Sequence, residues 1–298
     1  MTTSSQQAVS KDTSTCYLNG EYLPLKDAKV SVLDRGFIFA DGIYEVIPAF
    51  AGKPFRLKHH LERLHDNLNA IKIGNPYTEQ QWFGILNDVI SKNNYVNTDC
   101  SLYIQVTRGV AKRDHVFPEN SEPTVFAMLN PLPPVNPAVL EKGLTVITLE
   151  DIRWNYCNIK SISLLGNIIL KQEAAENNAD EAVLIRNGII TEGSSSNVFI
   201  VKNGIIKTPI KNQQLLPGIT RDLIVEIAQQ QNLPYEETTI TEEDLLSADE
   251  VWLTSSLKEV SPVCMVNGKA VANGQPGAHW RNMYKLFQQY KSSLKQSN

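Results

Sequence analysis

The chain has 298 residues, 42% hydrophobic and 20% charged, with a formal net charge of −4 at pH 7; these values are typical of a globular protein with one large or two medium domains. The sequence has no basic run, no apolar stretch long enough to span a bilayer and only four scattered cysteines, which argues against nucleic-acid binding, membrane insertion, disulfide frameworks and zinc sites. We therefore expect a cytoplasmic location and no metal.

The first residues are rich in Ser, Thr and Gln and contain no apolar core. They match neither a signal peptide nor an anchor, and we predict a disordered extension over residues 1–15. Asn-Gly pairs follow, each flanked by apolar or β-branched residues. Because Asn-Gly tolerates the positive φ angles of a type I′ turn, each pair predicts a β-hairpin. The four pairs are Asn19-Gly20, Asn187-Gly188, Asn203-Gly204 and Asn267-Gly268.

Before residue 130 we predict one further strand and two helices. The strand covers residues 41–46, entered from a glycine turn. Apolar residues recur at helical spacing in two later segments. They are Leu57, Leu61, Leu64, Leu68 and Ile71 in the first, and Trp82, Ile85, Leu86, Val89 and Ile90 in the second. Residues 131–137 are too proline-rich for a helix or central strand, and we predict a linker there.

Beyond the linker we expect a helix from near Ser161 to about Asn177, a β-meander over residues 182–206, and a helix after Thr220. A strand at residues 250–253 follows. The predicted fold is α+β, a mixture of helix and sheet in two domains. The smaller domain covers residues 16–130 and the larger one residues 138–298.

Lys160 is set among apolar and small neighbours. A buried lysine with a lowered pKa can form Schiff bases with carbonyl compounds. The alternative is a solvated surface group, which describes most lysines.

Three segments of the second half could bind an anion. A Pro-Gly turn at residues 217–218 leads into a helix with Thr220 as its expected N-cap, which suits a phosphate but also describes an ordinary capped helix. Residues 191–197 supply three serines, and Glu192 could meet a ring nitrogen; the alternative is a polar loop. Hydroxyls at residues 254–256 could hold phosphate or cap the next turn.

The first half adds three candidate positions. Arg63 lies off the leucine stripe of its helix, where the default is a surface arginine. Tyr44 could pack, or point its hydroxyl into a cleft. Arg113 and His115 are two residues apart and share one side if the chain is extended. Such a pair could clamp a carboxylate, although a solvated loop is equally consistent.

Together these candidates supply a lysine for a carbonyl, donors for a phosphate, a carboxylate for a ring nitrogen and a clamp for a small acid. Those are the requirements of a pyridoxal-phosphate enzyme.

Five strings, in order from about residue 16 onward, resemble the class IV (fold-type IV) pyridoxal-phosphate aminotransferases. They are Asp34-Arg35-Gly36, Asp41-Gly42-Ile43-Tyr44-Glu45, Cys157-Asn158-Ile159-Lys160-Ser161, Thr191-Glu192-Gly193-Ser194-Ser195-Ser196-Asn197 and Pro217-Gly218-Ile219-Thr220-Arg221. The resemblance implies two domains, a β-meander or pseudo-barrel in the larger one, pyridoxal 5′-phosphate as cofactor, and amino and keto acids as substrates. The string from Arg113 to Asn120 is similar to that of the D-amino-acid aminotransferases.

The resemblance also implies a role for each candidate. Lys160 would carry the Schiff base, Glu192 would meet the pyridine nitrogen, and Leu216 would pack against the ring. The phosphate would be held by Arg63, Ile219, Thr220 and Ser256, with Ser195 and Ser196 close by. Tyr44, Arg113 and His115 would bind the substrate carboxylate, with the pair contributed by the neighbouring subunit of a homodimer. The expected reaction is a ping-pong transfer between D-alanine and 2-oxoglutarate; branched-chain aminotransferase and aminodeoxychorismate lyase activities are the alternatives.

Overall fold

The computed structural model describes residues 14–296, and the chain divides into two compact units. The first unit comprises residues 1–133 together with 160–163, and the second comprises 134–159 and 164–298. Residues 160–163 therefore belong to the first unit, although the sequence placed them in the larger domain. The predicted disordered extension lies outside the described residues except for its last two positions, where Thr15 already begins a strand.

The described part of the first unit contains six strands and three helices. These are β1 (Thr15–Leu18), β2 (Glu21–Pro24), α1 (Arg35–Phe39), β3 (Gly42–Phe50), β4 (Lys53–Pro54), α2 (Leu57–Ala70), α3 (Glu79–Lys92), β5 (Cys100–Thr107) and β6 (Thr124–Pro131). A short 3₁₀ turn covers Leu25–Asp27. The strands form one antiparallel sheet in the order β2-β1-β6-β5-β3-β4.

The local predictions for this unit are confirmed. Asn19 and Gly20 take positive φ angles between β1 and β2, and the predicted strand lies within β3. The apolar stripe of α3 is buried in full, from Trp82 to Ile90. A reciprocal capping box between Thr78 and Gln81 starts this helix, because each satisfies a backbone N–H that the first turn leaves open.

Up to residue 296, the second unit contains nine strands and five helices. These are α4 (Pro137–Lys142), β7 (Leu144–Glu150), α5 (Leu165–Glu176), β8 (Glu181–Arg186), β9 (Ile189–Gly193), β10 (Asn197–Lys202), β11 (Ile205–Pro209), α6 (Ile219–Gln230), β12 (Tyr235–Thr238), α7 (Glu242–Leu246), β13 (Glu250–Ser255), β14 (Glu259–Val266), β15 (Lys269–Ala270) and α8 (Ala278–Gln296). The strand order is β12-β11-β10-β13-β14-β7-β8-β9, with β15 paired to β14.

This sheet confirms the predicted hairpins and is curled, as the implied pseudo-barrel would be, but its strand order differs from that of a simple meander. The pairs β8–β9, β10–β11 and β14–β15 are antiparallel hairpins, and β9 returns to contact β10 and β11, which curls the sheet. However, β10 hydrogen-bonds to β13 rather than to β9. Three strand pairs are parallel: β14–β7, and two pairs whose strands are joined through one helix, β7–β8 across α5 and β11–β12 across α6. The latter two are helical crossovers, and β8 is buried at nearly every position, so no alternating pattern marked it.

The start of α5 differs from the expectation by four residues. The helix begins at Leu165, not near Ser161. Residues 160–163 are instead drawn to the edge of β3, where Ser161 forms a bridge to Ile43 and Ile162 N–H donates to the Gly42 carbonyl. No helix within residues 14–296 is long and apolar enough to cross a membrane.

Candidate active site

Lys160 is held through its backbone in the first unit. Its N–H donates to Asn67 Oδ1 at 3.2 Å, and its carbonyl accepts from Tyr44 N–H at 3.0 Å. Asn67 also donates to the Arg63 carbonyl at 2.7 Å. One asparagine on α2 therefore ties the backbones of Lys160 and Arg63 together.

The side chain of Lys160 lies over an aromatic ring and is partly buried. Its Nζ is 4.1 Å from the ring centroid of Tyr44, and that ring stacks on Tyr103 with centroids 5.8 Å apart. An aromatic face attracts an ammonium group at this distance. The structure thus brings together two of the predicted site residues, Lys160 and Tyr44.

Arg63 is buried, contrary to the surface position that its place off the leucine stripe favoured. Its Nε and Nη2 donate to the two oxygens of Glu45 at 2.7 and 2.9 Å. His60, one turn earlier on α2, lies 2.8 Å from Glu45 Oε2. Because an ionised carboxylate can only accept, His60 Nδ1 donates in this bond. Neither Glu45 nor His60 was among the predicted site residues. The position of a glutamate within an apolar strand was the sequence feature that could have indicated a buried partner for Arg63.

The charges of this cluster are set by burial and pairing. Burial alone raises the pKa of a carboxylic acid, but the Arg63 guanidinium outweighs burial and holds the pKa of Glu45 well below its usual range. Burial lowers the pKa of His60, in spite of the Glu45 carboxylate. The cluster is therefore a neutral histidine beside one anion and one cation.

Glu192 lies on β9 in the second unit, with both carboxylate oxygens bonded. Oε1 accepts from Arg153 Nη1, and Oε2 accepts from Leu216 N–H at 3.1 Å and Asn197 Nδ2 at 3.3 Å. Burial raises the pKa of Glu192 to about 7, against the opposing effect of Arg153. A carboxyl group with such a pKa can exchange a proton near neutral pH.

Arg153, which was not among the predicted site residues, orients Glu192 by linking it to Asp151. Its Nε and Nη2 donate to the two oxygens of Asp151, both at 2.9 Å. Thr191 Oγ1 donates to Asp151 at 3.0 Å, and Arg186 lies 3.1 Å away. The spacing of Asp151 and Arg153, two apart in an extended segment, was a usable signal of the same kind as Arg113 and His115.

The first turn of α6 presents backbone N–H groups without a side-chain cap. The N-cap is Gly218, not Thr220 as predicted. Ile219 and Thr220 are instead the first two helical residues, and both are buried. Gly218 is required here because a Cβ would collide with Asn197 Oδ1. The N–H groups of a first turn have no intrahelical acceptor, which makes this turn suitable for an anion.

Two hydroxyl oxygens near this turn are buried and have no hydrogen-bond partner among the described residues, Ser196 Oγ and Thr254 Oγ1. Thr254 is the register partner of Asn197, and Asn197 approaches Gly218, so the hydroxyls and the helix start share one region. A buried hydroxyl without a partner is costly. An acceptor-rich group such as a phosphate would satisfy both.

The other two predicted serines, Ser195 and Ser256, do not lie buried and unpartnered beside the start of α6. Ser195 is exposed, and its Oγ donates to Glu181 Oε2 at 2.8 Å, while Lys258 binds the same carboxylate at 3.1 Å. Ser256 lies partly buried in the turn between β13 and β14. Next to it, Ser255 Oγ accepts from Lys258 N–H at 3.1 Å, which is the turn-capping alternative.

Arg113 and His115 lie in an irregular loop of the first unit, and both are exposed. The loop is not an extended strand, yet the two side chains meet on one ring. The Arg113 guanidinium carbon is 5.4 Å from the ring centroid of Phe39, and the imidazole centroid of His115 is 5.6 Å from it. The pair is thus available to a ligand from outside the chain.

Residues 42–266 match the family profile of the amino-transferase class IV. The chain therefore belongs to the class IV aminotransferases, and it is an aminotransferase.

The chain is similar to relatives of two kinds. It is 40% identical over 290 residues to a D-alanine aminotransferase of Staphylococcus epidermidis, across 93% of this chain and 98% of the relative. A D-alanine aminotransferase of Bacillus licheniformis is 37% identical, across 91% and 94%. Among solved structures, the branched-chain amino acid aminotransferase of Escherichia coli has a TM-score of 0.85 at 26% identity, across 92% of this chain and 93% of that one. The T.th. branched-chain amino acid aminotransferase with pyridoxamine 5′-phosphate has a TM-score of 0.86 at 25% identity, across 93% of each.

Proposed function

We propose that this enzyme transfers amino groups between D-amino acids and 2-keto acids, with D-alanine and 2-oxoglutarate as a substrate pair, using pyridoxal 5′-phosphate. The observation that carries the substrate class is the convergence of Arg113 and His115 on one ring, because two adjacent cationic or polar donors suit a carboxylate. The similarity to the D-alanine aminotransferases supports the same choice.

Several features support a site for the cofactor. The uncapped first turn of α6 and the two unpartnered hydroxyls, Ser196 and Thr254, suit its phosphate. Arg63 and Ser256 are further candidates for that phosphate. We assign Glu192 to the ring nitrogen and Leu216 to packing on the ring. When bound, the cofactor supplies an electron sink for negative charge at the substrate α-carbon.

The protein's own groups then have distinct tasks. Lys160 Nζ would hold the cofactor, and its amine, when free, would take up the α-proton of the amino acid and deliver a proton to the cofactor. Tyr44, under Nζ at 4.1 Å, limits the directions in which the amine can move. Glu192 holds a proton at the ring side, and Arg153 keeps its carboxylate oriented. Arg113 and His115 bind the substrate carboxylate.

We further propose a homodimer in which the partner supplies that pair. Apolar side chains are exposed around the start of α1 and the neighbouring loop, where Arg35 N–H donates to the Gly109 carbonyl. They are Val30, Val32, Leu33, Phe37, Val110, Val116 and Phe117. In the second unit Leu165, Ile168 and Ile169 are likewise exposed. Exposed apolar clusters of this kind are typical of interfaces. A cytoplasmic location stays a prediction from the sequence.

The substrate class is tested by a half-reaction. Purified holoenzyme is mixed with D-alanine or with L-leucine, and the absorbance band of the bound cofactor is followed. We expect the band to be lost with D-alanine; loss with L-leucine alone would favour the branched-chain alternative. Lys160→Ala should abolish turnover, and near-wild-type activity would refute its role.

The trans arrangement is tested by mixing the inactive variant Lys160→Ala with Arg113→Ala, whose affinity for D-alanine should be low, at a D-alanine concentration well below the raised KM of Arg113→Ala. If Arg113 acts across the interface, a mixed dimer contains one site with a wild-type lysine and a wild-type arginine, and activity returns. If Arg113 acts within its own chain, no mixed dimer has a complete site. Dimers that form without regaining activity would therefore overturn the shared site.

A further inference from the structure

Phe39, the last residue of α1, lies between a buried arginine and the exposed loop. On one side the guanidinium carbon of Arg35 is 4.8 Å from its ring centroid. On the other side, Arg113 and His115 are 5.4 and 5.6 Å away. The ring is thus the surface on which both side chains rest.

Arg35 also fixes the backbone of the loop. Its Nη1 donates to the Asp114 carbonyl at 2.5 Å, the residue between Arg113 and His115. Its Nε donates to Asp41 at 2.7 Å. Arg35 is buried, so this bond to a loop carbonyl starts from a rigid part of the unit.

Asp41 is the common anchor of two arginines. Arg108 donates to its two oxygens at 2.8 and 3.0 Å and to the Ile71 carbonyl, at the end of α2, at 2.7 Å. The Arg108 guanidinium lies 3.6 Å from the ring centroid of Phe117, farther along the same loop. Both ends of the segment 113–117 are therefore held by arginines fixed to one carboxylate.

The base of the loop is closed as well. Gly109 has φ of +91°, and a Cβ there would collide with the Glu122 carbonyl. The loop contains no regular structure but is therefore restrained in three places: by the close approach of Gly109 to Glu122 and by the contacts of Arg35 and Arg108. These restraints leave its backbone little conformational freedom.

We propose that Phe39 is a positioning residue for substrate specificity: its ring holds Arg113 and His115 in the arrangement that binds a carboxylate, while Arg35 fixes the loop backbone between them. This inference rests on the proposed role of Arg113. It assigns to Phe39 no contact with the reacting atoms. Instead, contact with the ring already restricts the side chains of Arg113 and His115 before the substrate arrives. Less conformational entropy is then lost when they bind the carboxylate.

The test compares carboxylate binding with turnover in Phe39→Ala and Phe39→Leu holoenzymes. The probes are D-alanine and propionate, a carboxylate that cannot react. We expect KM for D-alanine and the inhibition constant of propionate to rise together by about fivefold, the loss of the aromatic contacts, with kcat within about twofold of wild type. Phe39→Tyr should restore both constants. The leucine variant preserves apolar volume if the alanine variant folds poorly.

Phe83→Leu is the matched control, since Phe83 is an exposed phenylalanine on α3, in the same unit but outside this loop. It should leave both constants unchanged. A general folding defect of the unit would instead lower kcat in the Phe39 variants, and Phe39→Tyr would then show the same defect.

A double-mutant cycle with Arg113→Ala separates the two proposals. If Phe39 acts through Arg113, Phe39→Ala should cost much less in the Arg113→Ala background. A fivefold effect that persists there, or no effect in the wild-type background, overturns the positioning role but leaves the proposed carboxylate binding by Arg113 and His115 standing. If Arg113→Ala itself changes neither constant, the carboxylate binding by Arg113 and the positioning role of Phe39 are both refuted.

Discussion

The substitution Glu45→Gln tests the buried cluster that holds Arg63. Glu45 is 0% exposed, and its two oxygens accept two bonds from Arg63 and one from His60. Glutamine offers one acceptor oxygen in place of two, and its NH₂ would face donors. Arg63, a buried cation, would lose the negative charge of this carboxylate.

The magnitude follows from that geometry. Breaking a buried ion pair on one side costs about 3–5 kcal/mol, because the remaining charge keeps its desolvation penalty. We expect a loss of this size in the free energy of unfolding at pH 7. The matched control is Glu62→Gln on α2, the helix that carries Arg63, where Glu62 is exposed and lies 3.9 Å from Lys58. An exposed i,i+4 pair is worth about 0.3–0.5 kcal/mol.

The pH dependence has a definite sign. The folded-state pKa of Glu45 is depressed below the unfolded value of 4.5. Its stabilisation is therefore complete well above pH 4.5 and is lost as the pH falls, since the unfolded chain then binds the proton. Between pH 7 and pH 4 the wild type should lose about 1 kcal/mol of this contribution. The gap between wild type and Glu45→Gln should narrow by the same amount.

The assay is urea unfolding of the cofactor-free protein, followed by circular dichroism at pH 7 and pH 4. A cost for Glu45→Gln below about 1 kcal/mol at pH 7, no larger than a surface pair, would refute the buried ion pair. A gap that widens at pH 4 would refute the assigned charge of Glu45.

Three further outcomes are expected. First, the stability of Glu192→Gln relative to wild type should increase as pH rises from 5 to 8, by up to about 3 kcal/mol. The reason is that the raised pKa of Glu192 makes its ionisation in the folded, cofactor-free protein unfavourable. A stability difference between the two proteins that does not change with pH, measured from melting curves, would contradict this. Second, Arg153→Ala should lower the unfolding free energy by about 3–5 kcal/mol, because buried Asp151 would lose the arginine that donates to both of its oxygens. A loss of less than about 1 kcal/mol in urea titrations, the size expected for a surface ion pair, would contradict this. Third, Gly218→Ala should weaken pyridoxal phosphate binding about tenfold through the collision with Asn197, as measured by fluorescence titration; unchanged affinity would remove this turn from the phosphate site.

Local structure was predictable because its causes are local. The Asn-Gly turns depend on a dipeptide that tolerates positive φ, and Asn187 and Asn203 take it as expected. The helices α2 and α3 depend on the spacing of apolar residues. The exception is the segment after Lys160, where pairing of Ser161 with Ile43 displaced the expected helix start.

The site was predictable by residue type but not by partner. Lys160 and Glu192 could be singled out from their sequence settings and from the family resemblance. Nothing near Arg63 indicated that Glu45 would pair with it in the core. The spacing of Asp151 and Arg153 indicated a charged pair, but nothing near Glu192 indicated that Arg153 would also bind Glu192. Ion pairs depend on which elements the fold brings together, and no local period encodes that.

The sequence by itself thus determined the turns, the helix faces, the family and the identities of the candidate groups. Only the tertiary structure decided the order of the strands, such as the pairing of β10 with β13, and the charge environment of each group. The physical reason is that strand order and burial depend on contacts between residues far apart in the chain, whereas propensity and periodicity depend on neighbours.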